Sequence, residues 1–239
     1  MQKIIDEIIA KYMKMHEKNP RYVEYLRTKK YGYEMIARHF SGERVLELGS
    51  DGAATSAILA RASKHLDIVD CEDKISHLIA QDDALKKAHF IKSFWEDFKP
   101  EYEYSDILLT DSLEHVGDAV GILALIKTWL APSGKLHIIV PNALSLHRLI
   151  GVKMGFLNDA HDFNDNDIAS GHVRVYDFDT LNADIKASGL SLISMQGVQF
   201  KPLSDAQLSS FSAEYKDALA SLNELLPRHC AEIYALCGR

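Results

Sequence analysis

The sequence lacks the features of a secreted, membrane-spanning or nucleic-acid-binding protein. Its three cysteines, Cys71, Cys230 and Cys237, are odd in number and show no C-x-x-C spacing, which supports neither a disulfide framework nor a structural zinc site. No apolar run approaches the roughly 20 residues that cross a bilayer. The first 18 residues also lack the apolar core and cleavage site of a signal peptide. We therefore expect a cytoplasmic protein.

Positive charge is scarce as well. The formal net charge is -7, whereas binding to phosphate backbones needs clustered Lys and Arg. A small-molecule substrate is the better expectation, with no nucleic-acid or membrane partner. The sequence gives no indication of the oligomeric state.

Short β-branched or leucine-rich runs alternate with helix-length segments from Arg44 onward. The chain has 239 residues, of which 47% are hydrophobic, enough for one sizeable domain with additions. The alternation predicts an α/β fold with a mostly parallel sheet and helices on both faces. The predicted strands are RVLELG, HLDIVD, AHFIKS, SDILLTD, GKLHIIVPN, LSLISMQGVQF and AEIYALCGR.

Two further segments stand apart from this alternation. Residues 1–40 predict two helices, separated at Asn19-Pro20, and the second is rich in tyrosine. Residues 145–174 predict a long irregular stretch with LNDAHDFNDNDIASGH at its centre. Because long loops inside compact domains usually carry function or are mobile, we place this insertion near the substrate.

The residues that follow the first two strands suggest a nucleoside ligand. VLELGSDGAATS gives Glu47, Gly49 and Gly52 at a turn into a helix, where bare backbone can approach a ligand. Asp70 ends the second strand, 21 residues beyond Gly49, where a carboxylate can accept both hydroxyl hydrogens of a ribose. Glu72 is the alternative ribose ligand.

The residues after the third and fourth strands add to this prediction. Phe94 and Trp95 are flat apolar groups able to flank a purine, although a Trp beside a Phe is also typical of a core. A polar cluster follows the fourth strand: Asp111, Ser112, Glu114 and His115.

Two nucleoside ligands compete for this site. A dinucleotide requires G-x-G-x-x-G for its pyrophosphate, but the chain offers only Gly49-x-x-Gly52 after an acid that would repel phosphate. S-adenosylmethionine has no phosphate and carries an ammonium and a sulfonium. Carboxylates such as Glu47 and Asp111 favour this ligand.

On these motifs the chain resembles the class I S-adenosylmethionine-dependent methyltransferases. The similar segments are VLELGSDG, LDIVD, DILLTDSLEHVGD, WLAPSGKLHIIVPN and GHVRVYDFDTLNADIKASGL, which span about residues 40 to 200 in family order. The resemblance implies a Rossmann-like, seven-stranded sheet with an antiparallel final strand and a catalytic domain over residues 41–239. It also implies that residues 1–40 form a helical lid over the cofactor. The family's glycine loop differs here, since Asp51 and Ala53 stand where later glycines are usual.

Histidines provide the candidate bases. The resemblance places His115 beside the transferring methyl group and His172 at the border of the substrate pocket, and a histidine can activate a hydroxyl near neutral pH. His147 is a weaker candidate. His161 with Asp162 and His172 offers metal-ligating atoms, but the spacing matches no known pattern, so we expect no metal.

The acceptor is predicted by analogy alone. The polar insertion and the tyrosine-rich helix suggest a small polar molecule, such as a sugar nucleotide or a natural-product intermediate, methylated on oxygen or nitrogen. Two alternatives stay open at this point. They are a non-catalytic scaffold that keeps the fold and a nicotinamide-dependent oxidoreductase.

Overall fold

A seven-stranded sheet forms the centre of the protein. The computed structural model describes residues 1–50, 52–73 and 75–239. In the described residues the strand order is β3-β2-β1-β4-β5-β7-β6, and β7 runs antiparallel to both of its neighbours. All seven predicted strands and the antiparallel final strand are thereby confirmed. The strands are β1 (Arg44–Leu48), β2 (His65–Asp70), β3 (His89–Lys92), β4 (Tyr104–Thr110), β5 (Leu130–Pro141), β6 (Ser191–Val198) and β7 (Glu232–Gly238).

Helices cover both faces of this sheet. α5 and α8 pack on one face, and α1, α2 and α3 pack on the other. Among the described residues no helix is both long and apolar enough to cross a membrane. The helices are α1 (Gln2–Met15), α2 (Pro20–Ala37), α3 (Ala53–Ala62), α4 (Ile75–Gln81), α5 (Ala119–Trp129), α6 (Leu146–Lys153), α7 (Asp165–Ser170), α8 (Phe178–Ala187), α9 (Asp205–Leu208) and α10 (Ala213–Ala220).

The central strands are apolar on both faces because helices cover both. In β4, Ile107, Leu108 and Leu109 are all fully buried, yet Ile107 and Leu109 belong to the core on one face and Leu108 to the core on the other. Alternation of side chains along a strand produces this division. The continuous apolar run ILL, residues 107–109, is therefore typical of a central parallel strand.

The two predicted N-terminal helices are present and pack as part of the second core. α1 buries Ile5, Ile8 and Ile9 at helical spacing. α2 begins at Pro20 behind an Asn19 cap, and Gly32 brings it close to the sheet, where an added Cβ would lie 2.8 Å from the Ile139 side chain. A side chain at position 32 would require the Ile139 side chain to move.

The prediction of an irregular stretch over residues 145–174 is wrong in part, since two short helices, α6 and α7, form within it. Asn164 caps α7 in a reciprocal capping box with Asp167. The many Asn and Asp residues of this stretch had indicated a loop in the sequence. Arg148 is buried and donates to Asp167 at 2.9 Å and to the carbonyl groups of Ala160 and Asp162. One arginine thus holds the insertion together.

A buried polar group closes the amino ends of the central strands. Asp106 is fully buried and accepts hydrogen bonds from the backbone N–H groups of Ser41 and Gly42 and from the Ser41 hydroxyl. His137 lies between Asp106 at 3.5 Å and the Tyr234 hydroxyl at 2.9 Å. We refer to Ser41, Gly42, Asp106, His137 and Tyr234 as the amino-end cluster. It ties the segment before β1 to β4, β5 and β7.

Candidate functional site

A pocket of about 440 Å³ opens at the carboxyl ends of β1, β2 and β4. This edge is where parallel α/β sheets bind ligands. The pocket, called the strand-end pocket below, brings together six of the nine residues predicted for the site, although they are spread over 67 positions of sequence. The six are Gly49, Asp70, Phe94, Trp95, Asp111 and His115.

Gly49 forms the floor of this pocket. Its φ of +76° is a left-handed conformation that favours glycine, and an added Cβ would lie 3.2 Å from the Ser112 hydroxyl and 3.3 Å from the Trp95 ring. The Trp95 indole N–H donates to the carbonyl group of Val69 at 3.4 Å, so the ring is fixed across the end of the sheet. Phe94 is 65% exposed at the rim, where a flat ligand can reach it.

Asp70 joins two loops at the same edge. Its carboxylate accepts hydrogen bonds from the backbone N–H groups of Ser50 at 3.1 Å and Glu72 at 2.8 Å. Each carboxylate oxygen has a second lone pair, so an Asp70 held in this way can still accept from hydroxyl groups. The carboxylate is thereby oriented at the pocket wall before any ligand arrives.

Asp111 lines the same pocket and has an unusual backbone conformation. Its φ is +48°, which is uncommon for a residue other than glycine although Asp tolerates it. Its carboxylate contacts the ammonium of Lys29, a buried side chain on α2 that also contacts Glu232 at 3.0 Å. The contact joins the second N-terminal helix directly to the end of β4.

The lining of the strand-end pocket is rich in carboxylates. Asp70, Glu72, Glu96 and Asp111 all contribute to it, and Asp111 is paired with Lys29. Such a surface repels a pyrophosphate and attracts a ligand that carries positive charge. The electrostatics favour a sulfonium and ammonium ligand over a dinucleotide.

Two of the predicted residues, Glu47 and Gly52, do not line the pocket. Glu47 is fully buried within β1 between β2 and β4. Gly52 has a φ of +154° and begins α3, where Ala53 is the first helical residue. Asp51, the other departure from the family's glycine loop, lies outside the described residues. Glu72, the alternative to Asp70, lines the pocket as well.

Glu114, His115 and His172 meet beside the strand-end pocket and are called the histidine cluster below. One ligand atom from each lies within 4.8 Å of the others, and the two imidazole rings meet edge to face with centroids 4.8 Å apart. The backbone N–H of Val173 donates to the carbonyl of Glu114 at 3.0 Å, which fixes the two segments together. Sequence spacing alone does not reveal this meeting, because 57 positions separate His115 from His172.

The groups of the histidine cluster differ in their surroundings. Glu114 is 1% exposed, neither of its carboxylate oxygens has a hydrogen-bond partner, and burial raises the pKa of the carboxyl to about 7. The His172 Nδ1–H donates to Asp167 at 3.1 Å, and this hydrogen bond raises the pKa of His172 against the effect of burial. The His172 Nε2 faces Glu114, with 4.0 Å between that nitrogen and Oε1.

The remaining candidate histidines lie apart from this cluster. His161 contacts Asp159 and Asp177 at 3.2 Å each, while Asp162 accepts from backbone N–H groups of its own loop. His147 is largely buried, and burial lowers its pKa to about 4, which keeps it neutral. Neither histidine faces the groups that line the strand-end pocket.

A second pocket of about 500 Å³ adjoins the first and shares Ser170 with it. We call it the lid-side pocket, because α2 contributes Arg21, Tyr22, Tyr25 and Thr28 to it and the insertion contributes the opposite wall. Its lining is polar, with hydroxyl, amide and charged groups. Tyr33 of the same helix, by contrast, is fully buried in the core.

Comparisons with known proteins agree with this geometry. A family model described as a methyltransferase domain matches residues 14–195. A search of curated protein sequences gave no significant match.

Solved structures of methyltransferases share the fold. The N-methyltransferase NodS from Bradyrhizobium japonicum WM9 is 15% identical with a TM-score of 0.56, and the match covers 92% of this chain and 96% of that one. NodS in complex with S-adenosyl-L-homocysteine is 12% identical with a TM-score of 0.55, covering 87% and 85%. An S-adenosylmethionine-dependent methyltransferase from Mesorhizobium loti is 14% identical with a TM-score of 0.61, covering 89% and 98%.

Proposed function

Because the chain belongs to the methyltransferase domain family, whose S-adenosylmethionine-dependent enzymes share its fold, we propose that it methylates an oxygen or nitrogen atom of a small polar molecule. A sugar nucleotide or a natural-product intermediate has the required chemistry. The observation that carries the proposal is the carboxylate-rich strand-end pocket beside a polar second pocket. One can hold a cationic methyl donor while the other holds an acceptor.

The proposed cofactor contacts follow from the pocket wall. The methionine end lies against the bare backbone of Gly49, with its ammonium near Asp111 and the buried charge of Glu47 behind. The Asp70 carboxylate accepts from the ribose hydroxyl groups, and Gly52 leaves the turn into α3 open. Phe94 and Trp95 flank the adenine. NodS, which shares this fold, has been solved with the demethylated product.

The lid-side pocket is the proposed acceptor site. It carries charged groups of both signs that are already paired, such as Arg148 with Asp167 at 2.9 Å and Lys201 with Asp205 at 2.8 Å. Paired charges present hydrogen-bonding atoms of both kinds without a large net charge, which suits a polar, hydroxyl-rich molecule. His147 adds a neutral imidazole to the same wall.

The histidine cluster is the proposed catalytic group. Methyl transfer is an in-line displacement in which charge disperses, so the enzyme contributes alignment and assists the loss of a proton from the acceptor. His115 lines the strand-end pocket, and Ser170, two residues before His172, lines both pockets. These imidazoles therefore lie at the junction where donor and acceptor meet.

The sequence predicted residues 1–40 as a lid over the cofactor, but they add no residue to the lining of the strand-end pocket and reach it only through Lys29 at Asp111. The lid proposed here is residues 1–40 with its inner surface on the lid-side pocket instead. Tyr22 and Tyr25 stack with ring centroids 5.5 Å apart and line the lid-side pocket. Bound product should slow proteolysis between Asn19 and Lys30, because a segment that closes over a ligand unfolds locally less often. Equal cleavage rates with and without saturating product would make this segment a fixed part of the fold.

Calorimetric titration tests the proposed function. S-adenosylmethionine and S-adenosyl-L-homocysteine should each bind with a stoichiometry of one per chain, and NADH should give no fluorescence change. A panel of hydroxyl and amine acceptors with methyl-labelled cofactor then identifies the acceptor atom. Absence of cofactor binding would favour the non-catalytic scaffold, and NADH binding would favour an oxidoreductase.

A further inference from the structure

We propose that the histidine cluster binds one divalent transition-metal cation, which activates an acceptor hydroxyl group at the junction of the two pockets. This inference rests on the proposed function and extends it, because it selects oxygen as the acceptor atom. It departs from the metal-free expectation, which came from the unsuitable spacing around His161. Glu114, His115 and His172 provide one carboxylate and two imidazoles, a donor set used by Zn²⁺ and by other first-row divalent metals.

The Glu114 carboxylate is the first argument for a cation. A buried carboxylate normally accepts several hydrogen bonds, since an unpaired buried charge is costly. Glu114 is 1% exposed, and both of its oxygens are without a hydrogen-bond partner. Its nearest imidazole nitrogen is 4.0 Å away, too far for a hydrogen bond. A cation between Glu114 and His172 would satisfy both groups.

The orientation of His172 is the second argument. Its Nδ1–H donates to Asp167, so Nε2 is the nitrogen directed at Glu114. Metal-bound histidines usually donate their other N–H to a carboxylate in this way, which fixes the tautomer. Asp167 is fixed in turn by Arg148 at 2.9 Å. The supporting chain is complete without the cation.

The separations are compatible with coordination. Metal-ligand distances near 2.0–2.2 Å place two tetrahedral donors about 3.4 Å apart, so donors spaced at 4.0–4.8 Å must move inward by roughly 1 Å. Side-chain rotation covers this movement. His115 is exposed at the pocket, and three protein ligands leave a coordination position for an acceptor oxygen.

Nearby charges also permit a cation. Lys29 is close enough to Glu114 to influence its pKa, but its ammonium is paired with Asp111 and Glu232. The carboxylates of Glu114, Asp167, Asp111 and Glu232 outnumber the nearby groups that can be cationic, Lys29, Arg148 and His172. With these carboxylates ionised, the site keeps net negative charge before the cation binds.

The chemistry balances without a redox step. The cation polarises the bound hydroxyl group and lowers its pKa, and the proton passes to water at the open mouth of the pocket. The oxygen then attacks the methyl carbon, the new O–C bond forms as the C–S bond breaks, and the electron pair stays on sulfur. The products are the methyl ether and S-adenosyl-L-homocysteine.

Calorimetry with Zn²⁺ on chelator-treated, dialysed protein tests the site. Wild type should bind one Zn²⁺ per chain, and Glu114→Gln and His172→Ala should each weaken binding by at least about tenfold. His161→Ala is the matched control, since His161 lies outside the cluster, and its affinity should equal that of wild type. Near-UV circular dichroism establishes that each variant is folded.

Co²⁺ gives an independent readout on wild type alone, so the test does not depend on any variant folding. A protein-bound visible spectrum that Zn²⁺ displaces supports the site, and the spectrum of aqueous Co²⁺ contradicts it. The inference is also overturned if Glu114→Gln and His172→Ala keep wild-type Zn²⁺ affinity. S-adenosyl-L-homocysteine binding is measured separately. If wild type does not bind S-adenosyl-L-homocysteine, the proposed function is rejected. If wild type binds it but does not bind Zn²⁺, only the metal site is rejected.

Discussion

Two histidine–carboxylate groups in the described part of the chain look alike in composition and differ in how many hydrogen bonds their buried carboxylates accept. In the amino-end cluster, Asp106 accepts from backbone and hydroxyl donors, and His137 lies between Asp106 and Tyr234. In the histidine cluster, the Glu114 carboxylate accepts no hydrogen bond. A satisfied buried group contributes to stability, while an unsatisfied one costs stability and is expected where a ligand completes it.

Position in the sheet agrees with this contrast. The amino-end cluster lies where the central strands begin, an edge that α/β folds use for structure. The histidine cluster follows the carboxyl end of β4, the edge where ligands bind. Substitutions in the two clusters should therefore separate effects on stability from effects on turnover.

The largest expected effect is on turnover. Replacing His172 with Ala should lower kcat by about 10²–10⁴-fold, because the acceptor loses assistance in proton removal while proximity to the donor remains. His115→Ala should act in the same direction. Steady-state rates with the identified acceptor measure the effect, with His161→Ala as the control. Product affinity should change little in either variant.

The same experiment distinguishes a metal from a free base. If the cation is required, chelator should abolish turnover and Zn²⁺ should restore it. If both single variants retain full turnover across about pH 6 to 9, neither imidazole takes part in catalysis.

The second-largest effect is a loss of stability, which we expect from substitution in the amino-end cluster and not in the histidine cluster. Asp106→Ala should lower the free energy of unfolding by about 3–5 kcal/mol, because donors from Ser41 and Gly42 lose their acceptor and His137 loses its carboxylate contact at 3.5 Å. Glu114→Gln in chelated protein should change it by less than about 1 kcal/mol, since no hydrogen bond is lost. Urea unfolding measures both. If both variants lowered the free energy of unfolding equally, the two clusters would not differ in their contribution to stability.

A smaller effect concerns the cofactor. Asp70→Ala should weaken binding of S-adenosyl-L-homocysteine by about 1.5–3 kcal/mol, because a carboxylate hydrogen-bonded to the ribose is lost. Glu72→Ala is the matched control, as it lines the same pocket two residues away. Calorimetry measures the product affinity of both variants. A larger loss of affinity in Glu72→Ala than in Asp70→Ala would assign the ribose contact to Glu72.

The sequence predicted the parts of the molecule that depend on local pattern. All seven strands were predicted from short β-branched or leucine-rich runs such as HLDIVD. The ends of these strands then bring Gly49, Asp70 and Asp111 to one pocket. Parallel topology alone explains this convergence, since every parallel strand brings its carboxyl end to the same edge of the sheet.

Long-range contacts were beyond the reach of local pattern. The contact of Lys29 with Asp111 joins positions 82 apart, and the closeness of His172 to Glu114 depends on how the insertion folds. The two helices within residues 145–174 were hidden because Asn and Asp indicate loops as readily as helix caps. The amino-end cluster was also missed, as its five members come from four separate segments.

The smallest predicted effect uses pH to test whether the amino-end cluster is complete. Burial alone would raise the pKa of Asp106, but hydrogen bonds from His137, Ser41 and Ser105 hold it at about 2, below its ordinary value of 3.8. A depressed folded-state pKa adds stability above the unfolded pKa, and this increment is lost as pH falls from about 4 to about 2. The stability difference between wild type and Asp106→Asn should therefore shrink over this range by up to about 2 kcal/mol. Urea unfolding at successive pH values measures it, and a difference that stays constant down to pH 2 would mean that the Asp106 carboxylate is not held by these donors in solution.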